Sequence, residues 1–326
     1  MRRNNRLNTE EIEKIFDGVT SDEIDFREAL NKFLEDCNIR NLRGHTIKFY
    51  QNELSTFYKI MKEQGIEPAP SSITSEHIKR NVILYMKEEQ ERKIVTINAR
   101  IRAVRSFFNF LHREGYIRKN PVQGIKLLKD RKQAVETFSR EQLKELFKIP
   151  DLRTFTGMRD YVLMSLLLET GIRANECIGI TVRDVNLKEG TVLIRNAKTY
   201  KERLVPIQKP MQNLLTKYLH IRGRVEDTDA LFLTIDGTPM SKRQLQNRIT
   251  FYGRKADIQG VRCSAHTFRH TFAKLSVKAG ADIFILQAIL GHSSMEMVRN
   301  YVNLFSDDVL EKHKDFSPLK NLKSRL

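Results

Sequence analysis

Apolar residues recur through the first third of the chain with the step of a helix. Ile47, Tyr50, Leu54, Phe57 and Met61 stand 3, 4, 3 and 4 positions apart, and Ile97, Ile101, Val104, Phe108 and Leu111 stand 4, 3, 4 and 3 apart. Each set makes one apolar stripe, which predicts helices over 46–63 and 96–113. A further helix is expected over 26–37. Pro68 and Pro70 then break the chain, and a polar Ser-Glu-His start at Ser75 predicts a helix running to about residue 91. Gly115 ends the last of the four. Four such amphipathic helices form a small bundle whose stripes of Phe and Ile are core.

From Thr137 the pattern changes. Ser139-Arg-Glu-Gln is a capping-box signal for a helix to Phe147, and 157–169 is apolar on most of its surface, so it should lie deep in a core. Gly171 ends that helix and Arg173 follows in the run TGIRANEC. Residues 182–185, 191–195 and 203–207 read as short strands, the last two joined by the polar turn 196–202 that holds Lys198 and Lys201. Helices are expected over 208–222 and 241–254, with a short apolar piece at 230–234 and an Asp-Gly turn at 236–237 between them. The stretch 265–301 reads as a helix, a turn at Gly280, a second helix rich in Ile and Leu, a Gly291-His292 turn and a short helix carrying Tyr301. The fold class expected is mainly α: an N-terminal helical bundle, then a mixed α/β domain with a small antiparallel sheet.

Composition narrows the partners. Lys and Arg number 57 against 40 Asp and Glu, a formal excess of +17 over 326 residues. A balance this basic points to a polyanion, of which a nucleic acid backbone is the commonest. Arg92, Lys93, Arg100, Arg102 and Arg105 flank the helix over 96–113 and are expected on its basic face. Residues 122–136 read as a basic linker, which suits a clamp closing on DNA and equally a solvated hinge. Cys37, Cys177 and Cys263 are an odd, widely spaced set with no CxxC, which argues for a reducing cytoplasmic home and against a disulfide frame or structural zinc. No membrane span and no signal peptide are expected.

The isolated reactive groups are Arg173, Lys198, His266, Arg269, His292 and Tyr301. Two guanidinium forks can neutralise the oxygens of a phosphodiester, and a histidine can add a donor or accept a proton. A lysine can protonate a leaving alkoxide, and a phenol can attack phosphorus once its proton has an acceptor. Together they suffice for phosphoryl transfer without a metal or a cofactor. There is no Walker loop, no HExxH and no carboxylate triad. Each group alone is a weak signal, and their order and spacing carry the specificity.

That order resembles the tyrosine recombinase (phage integrase) family. The matching pieces are TGIRANE, the hairpin NAKTYKERLVPI, AHTFRHTFA and LGHSSMEMVRNY, with RNLRGHTIKFYQNEL and TINARIRAVRSFFNFLHREGYIRKNPV in the preceding bundle. The layout is similar to the two-domain recombinases of chromosome-dimer resolution and of mobile elements. The resemblance implies a SAM-like core-binding domain over 25–121 and a catalytic domain over 137–305, after an N-terminal extension over 1–24. It implies a C-terminal tail over 306–326, exchanged between protomers or folded back on its own domain.

The resemblance also implies residue roles. Tyr301 is the nucleophile that forms a 3′-phosphotyrosine link and leaves a 5′-hydroxyl. Arg173, Arg269 and His292 hold the phosphate, and His266 helps to accept the tyrosine proton. Lys198 is the general acid, with Lys201 as its rival. Ala197 and Thr199 stand beside Lys198 where the family often has glycine. Glu176 is either an orienting partner for Arg173 or an ordinary helix-surface acid, and His270 is expected to point away from the site as a structural residue. The implied partners are double-stranded DNA with paired recombination sites and further copies of the chain in a homotetramer. The implied activity is site-specific recombination in integration, excision or transposition of a mobile element, with a type IB-like topoisomerase and a catalytically silent DNA-binding accessory protein as the alternatives.

Overall fold

The computed structural model describes residues 24–130, 136–195 and 202–291. The chain divides into two compact units, Met1–Lys132 and Gln133–Leu326. Three of the candidate residues, Lys198, His292 and Tyr301, lie outside the described residues, as do residues 1–23 of the N-terminal extension and the tail over 306–326.

The described part of the first unit is helical. Helix α1 (Phe26–Ile39) starts at Asp25, whose carboxylate accepts the Glu28 backbone N–H at 2.7 Å. Helix α2 (Gly44–Glu63) and helix α4 (Ile94–Arg113) carry the two stripes read from the sequence. Between them α3 opens as an α-helical turn, Ser75–His77, and continues as a wider π-helix, Ile78–Glu89. Its cap is Thr74 rather than Ser75: the Thr74 hydroxyl accepts the His77 N–H at 3.2 Å, and the Thr74 N–H donates to the His77 ring at 3.4 Å. The helix start expected at Ser75 thus has its cap one residue earlier, at Thr74. The hydroxyl that can reach the orphan N–H is the one three residues before it.

The stripes meet in an aromatic core. Phe33 and Phe107 cross edge to face at 5.7 Å, Phe57 and Phe108 at 6.1 Å, and all four are fully buried. Burial of such a ring is worth roughly 1.5–3 kcal/mol. One expectation fails here. Arg100 does not join the basic face of α4: it is 6% exposed and pairs with Glu53 of α2 at 2.8 Å. It stands three residues after Ile97 and so shares the buried side of the helix. Removal from water lowers its pKa against the opposing pull of Glu53.

The second unit is built around α6 (Phe155–Thr170), which is buried along most of its length as its apolar sequence requires. Helix α5 (Arg140–Lys148) precedes it behind the expected capping box, with the Ser139 hydroxyl accepting the Gln142 N–H at 3.1 Å and the Gln142 side chain accepting the Ser139 N–H at 2.9 Å. Asp160 interrupts the apolar run yet is buried. Its carboxylate accepts from Arg159 at 2.8 Å, Arg248 at 2.6 Å and Tyr252 at 2.9 Å, which offsets the cost of burying a charge.

A three-stranded antiparallel sheet follows the short helix α7 (Ala174–Ile178). Its strands are β1 (Val185–Asn186), β2 (Thr191–Arg195) and β3 (Glu202–Pro206). The strand expected over 182–185 is instead a 3₁₀ turn, Val182–Asp184, leaving only Val185 to pair. The Asp184 carboxylate accepts the Thr181 N–H at 2.8 Å and its hydroxyl at 2.7 Å, and this local closure outcompetes a ladder. In the β2–β3 register Val192 faces Val205 and Ile194 faces Arg203. Val192, Ile194 and Val205 are buried, so Arg203 sits on the inward side of the sheet. Helices α8 (Lys209–Arg222), α9 (Lys242–Lys255), α10 (Ala265–Lys278) and α11 (Ile283–Leu290) complete the described unit.

Candidate active site

The end of α11 is where the described candidates gather. Helix α11 closes at Gly291, whose φ of 62° is the left-handed conformation that suits glycine as a helix stop. A Cβ there would stand 2.9 Å from the Arg203 guanidinium, so a side chain at 291 would push that guanidinium aside. A helix C-terminus presents unpaired carbonyls and partial negative charge. Three arginines from three other elements answer it.

Arg269, on the first turns of α10, is 3% exposed. Its guanidinium donates to the Gly171 carbonyl and to the Leu290 carbonyl, each at 2.8 Å. Gly171 ends α6 with a φ of 60°, and a Cβ there would come 2.4 Å from the Phe272 ring of α10. That close approach brings the chain segment after α6 beneath α10. Arg173 follows two residues later as the N-cap of α7. It donates to Leu290 and Gly291 carbonyls at 3.5 Å, long contacts, and to the Glu176 carboxylate at 3.0 Å. Arg173 and Arg269 thus share one acceptor, the Leu290 carbonyl. The sequence pairing of TGIR with His-x-x-Arg becomes a single constellation.

Glu176 is no surface acid. Its side chain is 6% exposed and accepts four hydrogen bonds: from the Arg173 backbone N–H at 2.9 Å, from the Arg173 guanidinium, and from Arg203 at 3.2 and 2.9 Å. Burial pushes its pKa up, but the Arg203 hydrogen bonds, the Arg173 N–H and both positive charges outweigh that and hold it below the usual carboxylate range. Glu176 therefore stays ionised at neutral pH. Arg203 also donates through Nε to the Ile289 carbonyl at 2.8 Å. Arg203 is a functional residue that no motif in the sequence marks. The signal was available in its alternation with Val205 and Ile207, since an arginine at an inward strand position needs a buried acceptor.

His266 lies on the first turn of α10, one turn before Arg269, where Ser264 caps the helix by accepting the Thr267 N–H at 3.1 Å. Burial, then the charges of Arg269 and Arg173, lower its pKa from 6.5, so the ring is neutral at pH 7 and able to accept a proton. His270 does not point elsewhere as expected: its ring meets that of His266 at 4.1 Å and 74°. One turn separates the two on α10, which places them on the same face. Burial, His266 and Arg269 depress the His270 pKa to about 4. The structure thus brings Arg173, His266 and Arg269 together with Glu176 and Arg203. Three guanidinium groups against one carboxylate leave a net positive site, partly screened from water and suited to a phosphate.

Comparisons with known proteins agree with that chemistry. The model of the phage integrase family matches residues 136–307, and that of the phage integrase N-terminal SAM-like domain matches residues 30–115. Tyrosine recombinase XerC of Oceanobacillus iheyensis is 30% identical over 300 residues, covering 90% of this chain and 96% of that protein. XerC of Bacillus subtilis is 30% identical over 295 residues, covering 88% and 95%. A lambda integrase tetramer bound to a Holliday junction shares the fold with a TM-score of 0.70 at 16% identity, over 88% of this chain and 86% of that one.

Proposed function

We propose, for a chain that belongs to the phage integrase family and is a site-specific tyrosine recombinase that cuts and rejoins DNA, that the reaction runs through a 3′-phosphotyrosine intermediate and that the following residues do the work. Arg173 and Arg269 bind the non-bridging oxygens of the scissile phosphate. His292, directly after Gly291, adds a third donor. The Tyr301 oxygen attacks phosphorus, its proton passing to His266, and the bond from phosphorus to the 5′-oxygen breaks. Lys198 protonates that 5′-oxygen. Because the phosphotyrosine conserves the energy of the broken bond, a 5′-hydroxyl of a second duplex can attack it and reseal the strand with no nucleotide cofactor.

The observation that carries the assignment is the Leu290 carbonyl, shared by Arg269 at 2.8 Å and Arg173 at 3.5 Å beside the Gly291 turn. It supports a common phosphate for two arginines far apart in sequence. The lowered pKa of His266 supports a proton acceptor at the same place.

The remaining roles follow the same reading. Residues 25–121 form the core-binding domain, 122–136 a basic linker, and 137–305 the catalytic domain, with the excess of +17 favouring a duplex partner. Four copies assemble on paired sites, as the lambda integrase tetramer on its Holliday junction suggests by analogy, and residues 306–326 join neighbouring copies. The enzyme works in the cytoplasm on the DNA of a mobile element. Among the described residues no helix is long and apolar enough to cross a membrane.

The test is a nicked suicide duplex that carries the enzyme's site. Wild-type protein should form a covalent complex at a 3′-phosphate, and Tyr301→Phe should form none. An adduct that survives Tyr301→Phe sinks the assignment of the nucleophile.

A further inference from the structure

We propose that Arg203 is a positioning residue that keeps Arg173 available to the phosphate by taking up the charge of Glu176. The proposal rests on the reading above that Arg173 holds a DNA phosphate. Glu176 is buried and ionised, and two guanidinium groups compete for it. Arg203 takes both carboxylate oxygens in a fork, at 3.2 and 2.9 Å, whereas Arg173 places one guanidinium N–H on one oxygen at 3.0 Å. The exposures run the same way: the Arg203 side chain is 14% exposed and that of Arg173 is 40%. The shielded arginine carries the two-point pairing, and the one open to solvent carries the weaker one.

The other contacts of Arg173 are its two bonds of 3.5 Å to the carbonyls of Leu290 and Gly291. A phosphate oxygen can replace those at little cost. Glu176 would still hold both Arg203 bonds and the Arg173 backbone N–H, so no buried charge is left unpaired when Arg173 turns to substrate. Without Arg203 the balance reverses. A buried carboxylate would then face Arg173 as its remaining guanidinium partner among the described residues. It would draw Arg173 into the fork and cancel the charge that the phosphate needs. Arg203 touches no substrate in this scheme and acts through Arg173.

The rival role is a plain clip, since Arg203 also ties β3 to the Ile289 carbonyl at the end of α11. A clip and a charge balance differ in what a second substitution does. Single-turnover adduct formation on the suicide duplex, at saturating protein, is compared for wild type, Arg203→Met, Arg203→Lys and Arg203→Met/Glu176→Gln, with melting temperature recorded for each. Arg203→Met should slow the adduct by about 10- to 100-fold, the scale on which misplacing a reacting group acts. The double variant loses both partners, yet it frees Arg173 from an uncompensated carboxylate, so it should recover to within roughly 10-fold of wild type. Arg203→Lys keeps the charge and should stay closer to wild type than Arg203→Met. A double variant as slow as Arg203→Met overturns the proposal in favour of the clip. So does an Arg203→Met rate equal to wild type, or a Lys variant as slow as Met. Should Arg203→Met fail to fold, a Lys variant and a double variant each within roughly 10-fold of wild type support the proposal, and either one slower than that overturns it. A wild type that forms no adduct contradicts the assignment of Tyr301, whereas a wild-type adduct with no recovery in the double variant contradicts this proposal only.

Discussion

The two units bury arginine in opposite circumstances. In the first, Arg100 of α4 meets Glu53 of α2 at 2.8 Å at the margin of an aromatic core that includes Phe33, Phe57, Phe107 and Phe108. The rings hold that unit and the ion pair accompanies them. In the second, Arg173, Arg203 and Arg269 surround the carbonyls of Ile289, Leu290 and Gly291 and the carboxylate of Glu176. There the polar groups set the geometry, and glycines at 171 and 291 allow the approach. Apolar packing tolerates small displacements, whereas a fork of hydrogen bonds does not. The contrast separates a scaffold that grips from a site that must be placed to within a fraction of an ångström.

Two substitutions test that contrast. Phe107→Ala removes a ring that contacts Phe26, Phe33 and Phe108. It should cost about 3–5 kcal/mol in the first unit, seen as a lowered denaturant midpoint for that unit's transition. An unchanged midpoint would mean that the ring cluster does not hold the bundle. Gly171→Ala acts at a left-handed φ of 60° against the Phe272 ring. It should cost roughly 1–3 kcal/mol, yet reduce adduct formation more than its loss of stability implies, because it shifts the carbonyl that holds Arg269. A variant that melts lower but cleaves at the wild-type rate would show that the backbone at 171 does not place Arg269.

The same contrast explains what could be read from the sequence. Spacings of 3 and 4 found α2 and α4, Ser139 and Gln142 found the start of α5, and Gly171 found the end of α6. These are local patterns with local causes. Arg173 and Arg269 were legible as motif residues, but their meeting at Leu290 depends on how α6, α10 and α11 pack, which no spacing encodes. Arg100 was misplaced because a stripe drawn from apolar residues alone ignores a long cation three positions along the same face. The alternation of Arg203 with Val205 and Ile207 marks it as inward, but which buried acceptor it meets depends on how β3 packs against α7 and α11. The turn over 182–184 was misread because Val182 and Val185 suit a strand, while Asp184 closes back on Thr181.

The central claim is that Arg173, held lightly at the end of α11, neutralises a non-bridging oxygen of the scissile phosphate. Replacing that oxygen by a methyl group gives a neutral methylphosphonate that no longer needs the arginine's charge. On ordinary DNA, Arg173→Ala should form the covalent adduct at least about 100-fold more slowly than wild type, the scale of one lost electrostatic contact to a transition state. On the methylphosphonate duplex the same variant should recover most of that loss. Equal slowness of Arg173→Ala on both substrates would contradict the claim and place Arg173 outside the phosphate's reach.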